Sequence, residues 1–477
     1  MNNKFYITAA IPYVNAKPHI GHALEFVQAD TIARYHKLLD EEVLLLSGGD
    51  ENALKNVQAA EKAGVPVQEF VDKNTQLFYD LTKKLNAQFD VWQKGSDQEH
   101  HYVSSQELWK RCEKDIYKKA YKGLYCVGCE TFYEKEELDE NGECYEHPGK
   151  KLDEVEEENY FFRLSNYQDK IINLIEFGEL EIIPDSRKNE VLSFVKSGLK
   201  DISISRSNER AKKWGVPVPG DDKQRIFVWY DALNIYQSGV GFGWDEEKYN
   251  KWWPADVHVI GKGIIRFHAV YWPAFLLSAE LKLPKKIFVH GYYTVNGQKM
   301  SKTLGNVYDP IPLLEKYGAD PLRYYCLAKT PPFTDGDFSE VKFVEAYNAD
   351  LANGLGNLIA RIAKLAERSG AEFTIYNLQF TNNEFNEIKS QLDQFRFDEA
   401  LRIIWGWISE LDKRIEKDQP WGLKGDKLES TLGIYVKEIR KIATGLQPFL
   451  PETAEKILKQ FVGPKVKSDV PLFPRIK

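Results

Sequence analysis

Two histidines stand three residues apart in His19-Ile20-Gly21-His22, directly after a loop with prolines at both ends, residues 12–18. An imidazole pair at the start of a helix, next to its free backbone N–H groups and the positive end of its dipole, is suited to holding a phosphate chain. Far downstream, Lys299-Met300-Ser301-Lys302-Thr303 places two cations in a loop that Gly297, Ser301 and Gly305 leave flexible. In-line displacement at phosphorus asks mainly for positioning and for cationic donors around the phosphoryl oxygens, and these two segments could supply both. A third cluster is Cys126-Val127-Gly128-Cys129, followed after 14 residues by Cys144-Tyr145-Glu146-His147. CxxC and CxxH pairs give four donors that close a tetrahedral sphere, which predicts one structural zinc on Cys126, Cys129, Cys144 and His147. Cys112 and Cys326 stand apart from this group and read as ordinary buried thiols in a reduced compartment.

The elements that must position these groups follow from periodicity. Residues 5–11 read as a strand, and an amphipathic helix opens at His19 and runs through Leu24, Val27, Ile32 and Leu38. Residues 42–47 form a short apolar run that ends in Gly48-Gly49-Asp50, a buried strand with an acid at its carboxyl end, where ligands sit in parallel sheets. Helices are expected over 53–63, 67–85 and 104–119, with a strand near Phe89-Asp90-Val91-Trp92. An insertion is expected over 120–218, with helices at 167–177 and 189–198. The parallel sheet is expected to resume with strands at 226–231 and 256–261, then a helix over 267–281 and a strand over 286–290. From Asp320 onward helical periodicity dominates, at 343–369, 383–417 and 427–447.

Composition supports several packed domains. The chain has 477 residues, 43% hydrophobic and 13% aromatic, which is ample for cores and too long for one ordinary domain. The net charge of −7 is local in origin. Residues 124–158 carry 13 carboxylates against 3 lysines, so the remainder is slightly basic and nucleic acid is not excluded. No run is long enough to span a bilayer and no signal pattern opens the chain, so a cytoplasmic location is expected.

The pairing of His19-Ile20-Gly21-His22 with Lys299 to Thr303 resembles the two signatures of class I aminoacyl-tRNA synthetases. Four further segments, Ala9 to Asn15, Val228 to Leu233, Gly261 to His268 and Val289 to Tyr292, resemble the methionine-specific branch, and nearly the whole chain follows that pattern in order. The resemblance implies an α/β fold: a Rossmann-like parallel-sheet catalytic domain (1–119 and 219–291) split by a zinc-knuckle connective insertion (120–218). A lysine loop and linking stem-contact segment (292–342) follow, then an all-α anticodon-binding bundle (343–477). It implies activation of methionine by ATP with magnesium and transfer to tRNA(Met). His19, His22, Lys299, Ser301 and Lys302 would hold ATP, with Lys302 the main contact of the closing loop. The methionine side chain would lie among Ala10, Ile11, Tyr13, Trp229, Ala232, Tyr236, Ile264 and His268, with Asp50 on its ammonium and Arg206 near the substrate. Asn357, Arg361 and Trp421 would meet the anticodon, where unstacked bases are read by stacking and by edge hydrogen bonds. A monomer is expected.

Size supports this branch. A pocket separates isoleucine from valine by only about 1–3 kcal/mol, so those enzymes carry a large hydrolytic domain, for which an insertion of about one hundred residues leaves little room. There are departures. The family usually has threonine-aspartate-glutamate-histidine-glycine where this chain has Gly49-Asp50-Glu51-Asn52-Ala53, and an aspartate where Gly263 stands. Thr303 replaces a serine, and the flanks of Arg206 are atypical. Two other readings stay open: a non-catalytic tRNA-binding relative, motivated by Asn52, Ala53 and Gly263, and a nucleotidyltransferase of the HxGH type.

Overall fold

The computed structural model describes residues 4–126, 131–133, 135–145, 149–300, 305–374 and 378–476. Six strands form one parallel sheet: β1 (Lys4–Ala9), β2 (Glu42–Gly49), β3 (Val91–Lys94), β4 (Glu181–Ile183), β5 (Val257–Gly261) and β6 (Lys286–His290). Their spatial order is β3-β2-β1-β5-β6-β4. The chain leaves β1 towards β2 on one side and later returns through β5 on the other. That reversal opens a crevice at the carboxyl ends of β1 and β5. The central strands β1, β2, β5 and β6 are buried along most of their length, as parallel sheets covered on both faces require.

Helix α1 (Ile20–Lys37) follows β1 and packs Ile20, Ala23, Leu24, Phe26, Val27 and Ile32 into the core. Its last turn carries Arg34, His36 and Lys37, which suit the negative end of the dipole. Midway along it, Asp30 is buried and pairs with Arg323 (Nη1–Oδ2 2.7 Å) from the helix Ala319–Ala328. Arg34 Nε donates to the same oxygen at 2.7 Å, and the Gln88 amide donates to the other at 2.8 Å. Arg323 also donates to the carbonyls of Phe449 (2.8 Å), Pro448 (3.2 Å) and Leu85 (3.3 Å). One side chain thus ties the first helix to the last third of the chain.

Past the short strand Gly336–Phe338 the described residues are helical as expected, with helices Asn357–Ser369, Phe397–Asp418, Gly425–Leu446 and Pro451–Gln460 packed around Leu401, Ile404, Ile408, Tyr435 and Ile439. Among the described residues no helix is long and apolar enough to cross a membrane.

Three elements differ from the sequence expectation. Residues 226–231 are not a strand of the parallel sheet. Strand Asp221–Ile226 belongs to a small antiparallel sheet, and Val228–Ser238 is a helix, α2. Every residue of α2 is buried, so it has no polar stripe to announce a period of 3.6, and a short apolar run is ambiguous. The helix expected over 104–119 ends at Arg111, because Ile116–Cys126 pairs with Asp153–Phe162 as a long antiparallel ribbon. The stretch 120–218 is also not one separate insertion, since β4 lies within it and extends the main sheet beside β6. Five of the 13 carboxylates of residues 124–158 lie on strand Asp153–Phe162, opposite the lysines of its partner. Lys118 Nζ reaches Glu158 at 3.3 Å, and Lys122 faces Glu156 in register. Cross-strand charges of opposite sign stabilise such a pair.

Arg323→Met removes the side chain that contacts all of these acceptors, leaving buried Asp30 with Arg34 as its remaining cation and the three carbonyls without this donor. The expected loss is about 3–5 kcal/mol of unfolding free energy in urea denaturation; a loss below about 1 kcal/mol would mean that the pair is not structural.

Candidate active site

The crevice holds a cavity of ≈ 790 Å³. One end is aromatic and aliphatic, with Ala10, Ile11, Tyr13, Trp229 and Ile264; the other is polar, with His19, His22, Glu25 and His290. The two histidines are held by a reciprocal cap. His19 Nδ1 accepts from the Gly21 amide at 3.1 Å, and His22 Nδ1 accepts from the His19 amide at 3.1 Å. With each Nδ1 used as an acceptor, the ring proton sits on Nε2, so both rings present a donor to the cavity. Burial, with His19 alongside, holds the His22 pKa well below the ordinary imidazole value. His22 therefore acts as a neutral donor, and both rings stand at the amino end of α1, which reinforces them.

The lysine segment comes to the same place. Met300, Gly305, Val307 and Asp309 line this cavity together with His19 and His22. The Ile20 amide donates to the Tyr308 carbonyl at 3.0 Å, which fixes the far side of the loop to the first turn of α1. The backbone of Lys299 pairs with Thr294 in a short hairpin. Ser301 and Lys302 lie outside the described residues, as does Thr303.

At the apolar end, Trp229 stacks on Phe267 (centroids 3.6 Å, 7°) and meets Tyr13 edge-on at 5.9 Å. Ala232 packs in the same cluster. Asp50 follows β2, is buried, and bridges to Tyr13, its amide donating to the Pro12 carbonyl at 2.9 Å. Behind this wall His268 Nδ1 donates to the Ile264 carbonyl at 2.9 Å, so its Nε2 accepts from the Tyr236 hydroxyl at 2.7 Å. His268 lies in a π-helical turn, Phe267–Tyr271, a widening of the helix that often accompanies a ligand site.

Arg206 does not join this cavity. It is buried under the antiparallel ribbon, stacked on Phe227 at 4.0 Å and donating to Ser203 Oγ at 2.9 Å and the Ser205 carbonyl at 2.6 Å. Of the four ligands expected for zinc, the buried Cys126 and Cys144 thiols converge to 3.2 Å, while Cys129 and His147 lie outside the described residues. Among the described residues no group of three or more His, Cys, Asp and Glu side chains is placed to hold a metal ion. On the bundle, Arg361 lies 5.3 Å from the ring of the exposed Trp421, with Asn357 one turn away on the same helix. Glu416 and Asp412 pair with Arg361 at 2.5 and 3.4 Å.

Residues 5–363 match the family described as tRNA synthetases class I (M). The chain belongs to that family. A relative from Brucella melitensis named methionine–tRNA ligase is 41% identical over 97% of this chain and 93% of its own length. A methionine–tRNA ligase from Thermotoga maritima is also 41% identical, over 96% of this chain and 75% of its own length. The structure of Mycobacterium tuberculosis methionyl-tRNA synthetase in complex with methionyl-adenylate superposes with a TM-score of 0.92, at 36% identity, covering 99% of this chain and 100% of that one.

Within this synthetase, Glu25, His290 and Phe267 reach the site although sequence reasoning did not place them there. Glu25 lies three residues past His22, on the same face of α1, and its Oε2 is 2.9 Å from His290 Nε2 at the end of β6. That helical offset was the signal available for it. The missing aspartate at Gly263 also has a physical reason. The Gly263 amide donates to Tyr292 Oη at 2.7 Å, and a Cβ at 263 would lie 2.3 Å from that oxygen. No side chain fits while Tyr292 stands there.

Burial lowers the His268 pKa from 6.5 to about 4. Below about pH 6.5 the unfolded imidazole binds a proton that the folded one refuses, so this stabilisation is complete above that pH and is lost as pH falls towards about 4. His268→Gln is expected to remove about 2 kcal/mol of the stability difference between pH 7 and pH 5. Equal pH slopes for the two proteins in urea denaturation would contradict the neutral assignment.

Proposed function

We propose that this class I tRNA synthetase is a methionine–tRNA ligase that forms methionyl-adenylate and passes the methionyl group to tRNA(Met). The carrying observation is the single cavity that joins an aromatic slot at Trp229 and Tyr13 to the donor pair His19 and His22. The Mycobacterium tuberculosis neighbour, described as a complex with methionyl-adenylate, supports the same ligand here.

In the first step a methionine carboxylate oxygen attacks the α-phosphorus of ATP, the bond to the β-phosphate breaks, and pyrophosphate leaves. Asp50 takes the substrate ammonium. Ala10, Ile11, Tyr13, Trp229, Ala232 and Ile264 enclose the thioether, a polarizable group suited to aromatic walls. Tyr236 and His268 close the far end. The Nε2–H donors of His19 and His22 stabilise charge that grows on the phosphoryl oxygens, and they need no proton transfer to do so. Lys299, Ser301 and Lys302 close over the triphosphate, with Lys302 as the principal cation. Magnesium bound with the nucleotide would neutralise part of the phosphate charge. In the second step a ribose hydroxyl at the end of tRNA attacks the acyl carbon and AMP departs. Arg206 acts from beneath the ribbon as a support for the substrate region.

Zinc is structural in this reading, held by Cys126, Cys129, Cys144 and His147; the two converging thiols are the donors expected of a soft divalent site. Trp421, Arg361 and Asn357 contact the anticodon, and the exposed indole offers a stacking plate.

ATP–pyrophosphate exchange with the purified chain tests the proposal. Exchange should require methionine, and Lys302→Ala should lower it by about 10²-fold or more. Trp421→Ala should leave exchange intact while slowing tRNA(Met) charging. Exchange without any amino acid would instead favour a nucleotidyltransferase, and tRNA binding with no exchange would favour a non-catalytic relative.

A further inference from the structure

Beside the cavity, but outside its lining, lies a buried carboxylate that the chemistry above does not use. Asp231 sits on α2 between Trp229 and Ala232 and is 1% exposed. Three side chains from two other elements meet it. Asn52 Nδ2 donates to Oδ2 at 2.6 Å, while His101 Nε2 (2.8 Å) and Ser105 Oγ (2.8 Å) reach Oδ1. Each partner is itself fixed. The second N–H of Asn52 goes to the Gly95 carbonyl at 2.7 Å, and His101 Nδ1 meets Ser238 Oγ, at the end of α2, at 2.8 Å. His101 and Ser105 belong to the helix His101–Arg111, and Asn52 lies two residues after Asp50.

A full set of partners is what a buried carboxylate requires. The position of this one gives it a further consequence. The loop that carries Asp50 and the helix that carries Trp229, Ala232 and Tyr236 approach the ligand from different strands, and the Asn52–Asp231 bond fixes one to the other. Resting on the methionine-activating reading, we propose that Asn52, His101 and Asp231 are positioning residues that set the span between the ammonium-binding carboxylate and the side-chain wall, and so the length of amino-acid side chain that is activated. Asn52 stands where the family usually has histidine, so this chain makes the link with one amide nitrogen.

The test uses exchange kinetics of the full chain with methionine, with its longer S-ethyl homologue, and with ATP as the varied substrate. Asn52→Asp sets two carboxylates face to face. It is expected to raise KM for methionine by about tenfold and to narrow the preference for methionine over the homologue by about fivefold, with KM for ATP within about twofold. Combining it with Asp231→Asn restores an amide–carboxylate bond in the reverse sense and should recover most of both effects. Ser105→Ala, which deletes a single donor, should move methionine KM in the same direction by about two- to threefold. If Asn52→Asp does not fold, the double exchange and Ser105→Ala carry the same readout. Unmoved methionine KM and preference in folded variants overturn the inference, as does an equal loss for both amino acids and ATP. Native chain without methionine-dependent exchange removes the functional reading itself, whereas native exchange with unmoved variants removes only the positioning role.

Discussion

The ion pair between Asp30 and Arg323 is the constraint on which the arrangement of this molecule depends. Both groups are out of solvent, and a buried pair stripped of one member costs far more than an exposed one. Asp30 lies in α1, whose first turn carries the histidine pair. Arg323 lies in the helix Ala319–Ala328 and also holds the carbonyls at the end of helix Gly425–Leu446. Tyr35, near the end of α1, adds a bond of 2.6 Å to Asp393 in the bundle. The polar end of the cavity and the C-terminal bundle are therefore mounted on one helix.

The two ends of the cavity contrast in character. At one end the imidazoles of His19 and His22 stand at the amino end of α1; at the other, aromatic faces and a shielded histidine offer little to a charged side chain. The same physical device recurs at both. His19, His22 and His268 are each held in a single tautomer by a partner of fixed polarity, an amide for the first two and a carbonyl for the last. Depressed basicity keeps His22 and His268 neutral in the range where the enzyme would work, so donor directions do not depend on solution protons.

What could be read in the chain before folding was whatever local pattern expresses. The β1–α1 unit, the runs that became β2, β5 and β6, and the amphipathic helices of the bundle all carry a period that matches their environment. The histidine and lysine segments were expected to meet because of their pairing, and the described flanks of the lysine segment do line the same cavity as His19 and His22. Helix α2 was misread because complete burial erases the stripe on which helix recognition depends. The edge strand β4 was missed because three residues hold no period, and its pairing with β6 is a long-range fact. Asp231 could be seen only as an acid in an apolar run; its partners at Asn52 and His101 come from distant stretches that no local window joins. Gly263 is similar, since its small size answers to Tyr292, whose ring arrives from the loop after β6.

The most direct measurement is a crystal structure of the chain with a non-hydrolysable methionyl-adenylate analogue. Density should run from the thioether against Trp229 and Tyr13, through an ammonium on Asp50, to a phosphoryl mimic beside His19 and His22. An analogue bound elsewhere, or one whose ammonium lies away from Asp50 with its phosphoryl mimic remote from α1, would contradict the assignment of this cavity.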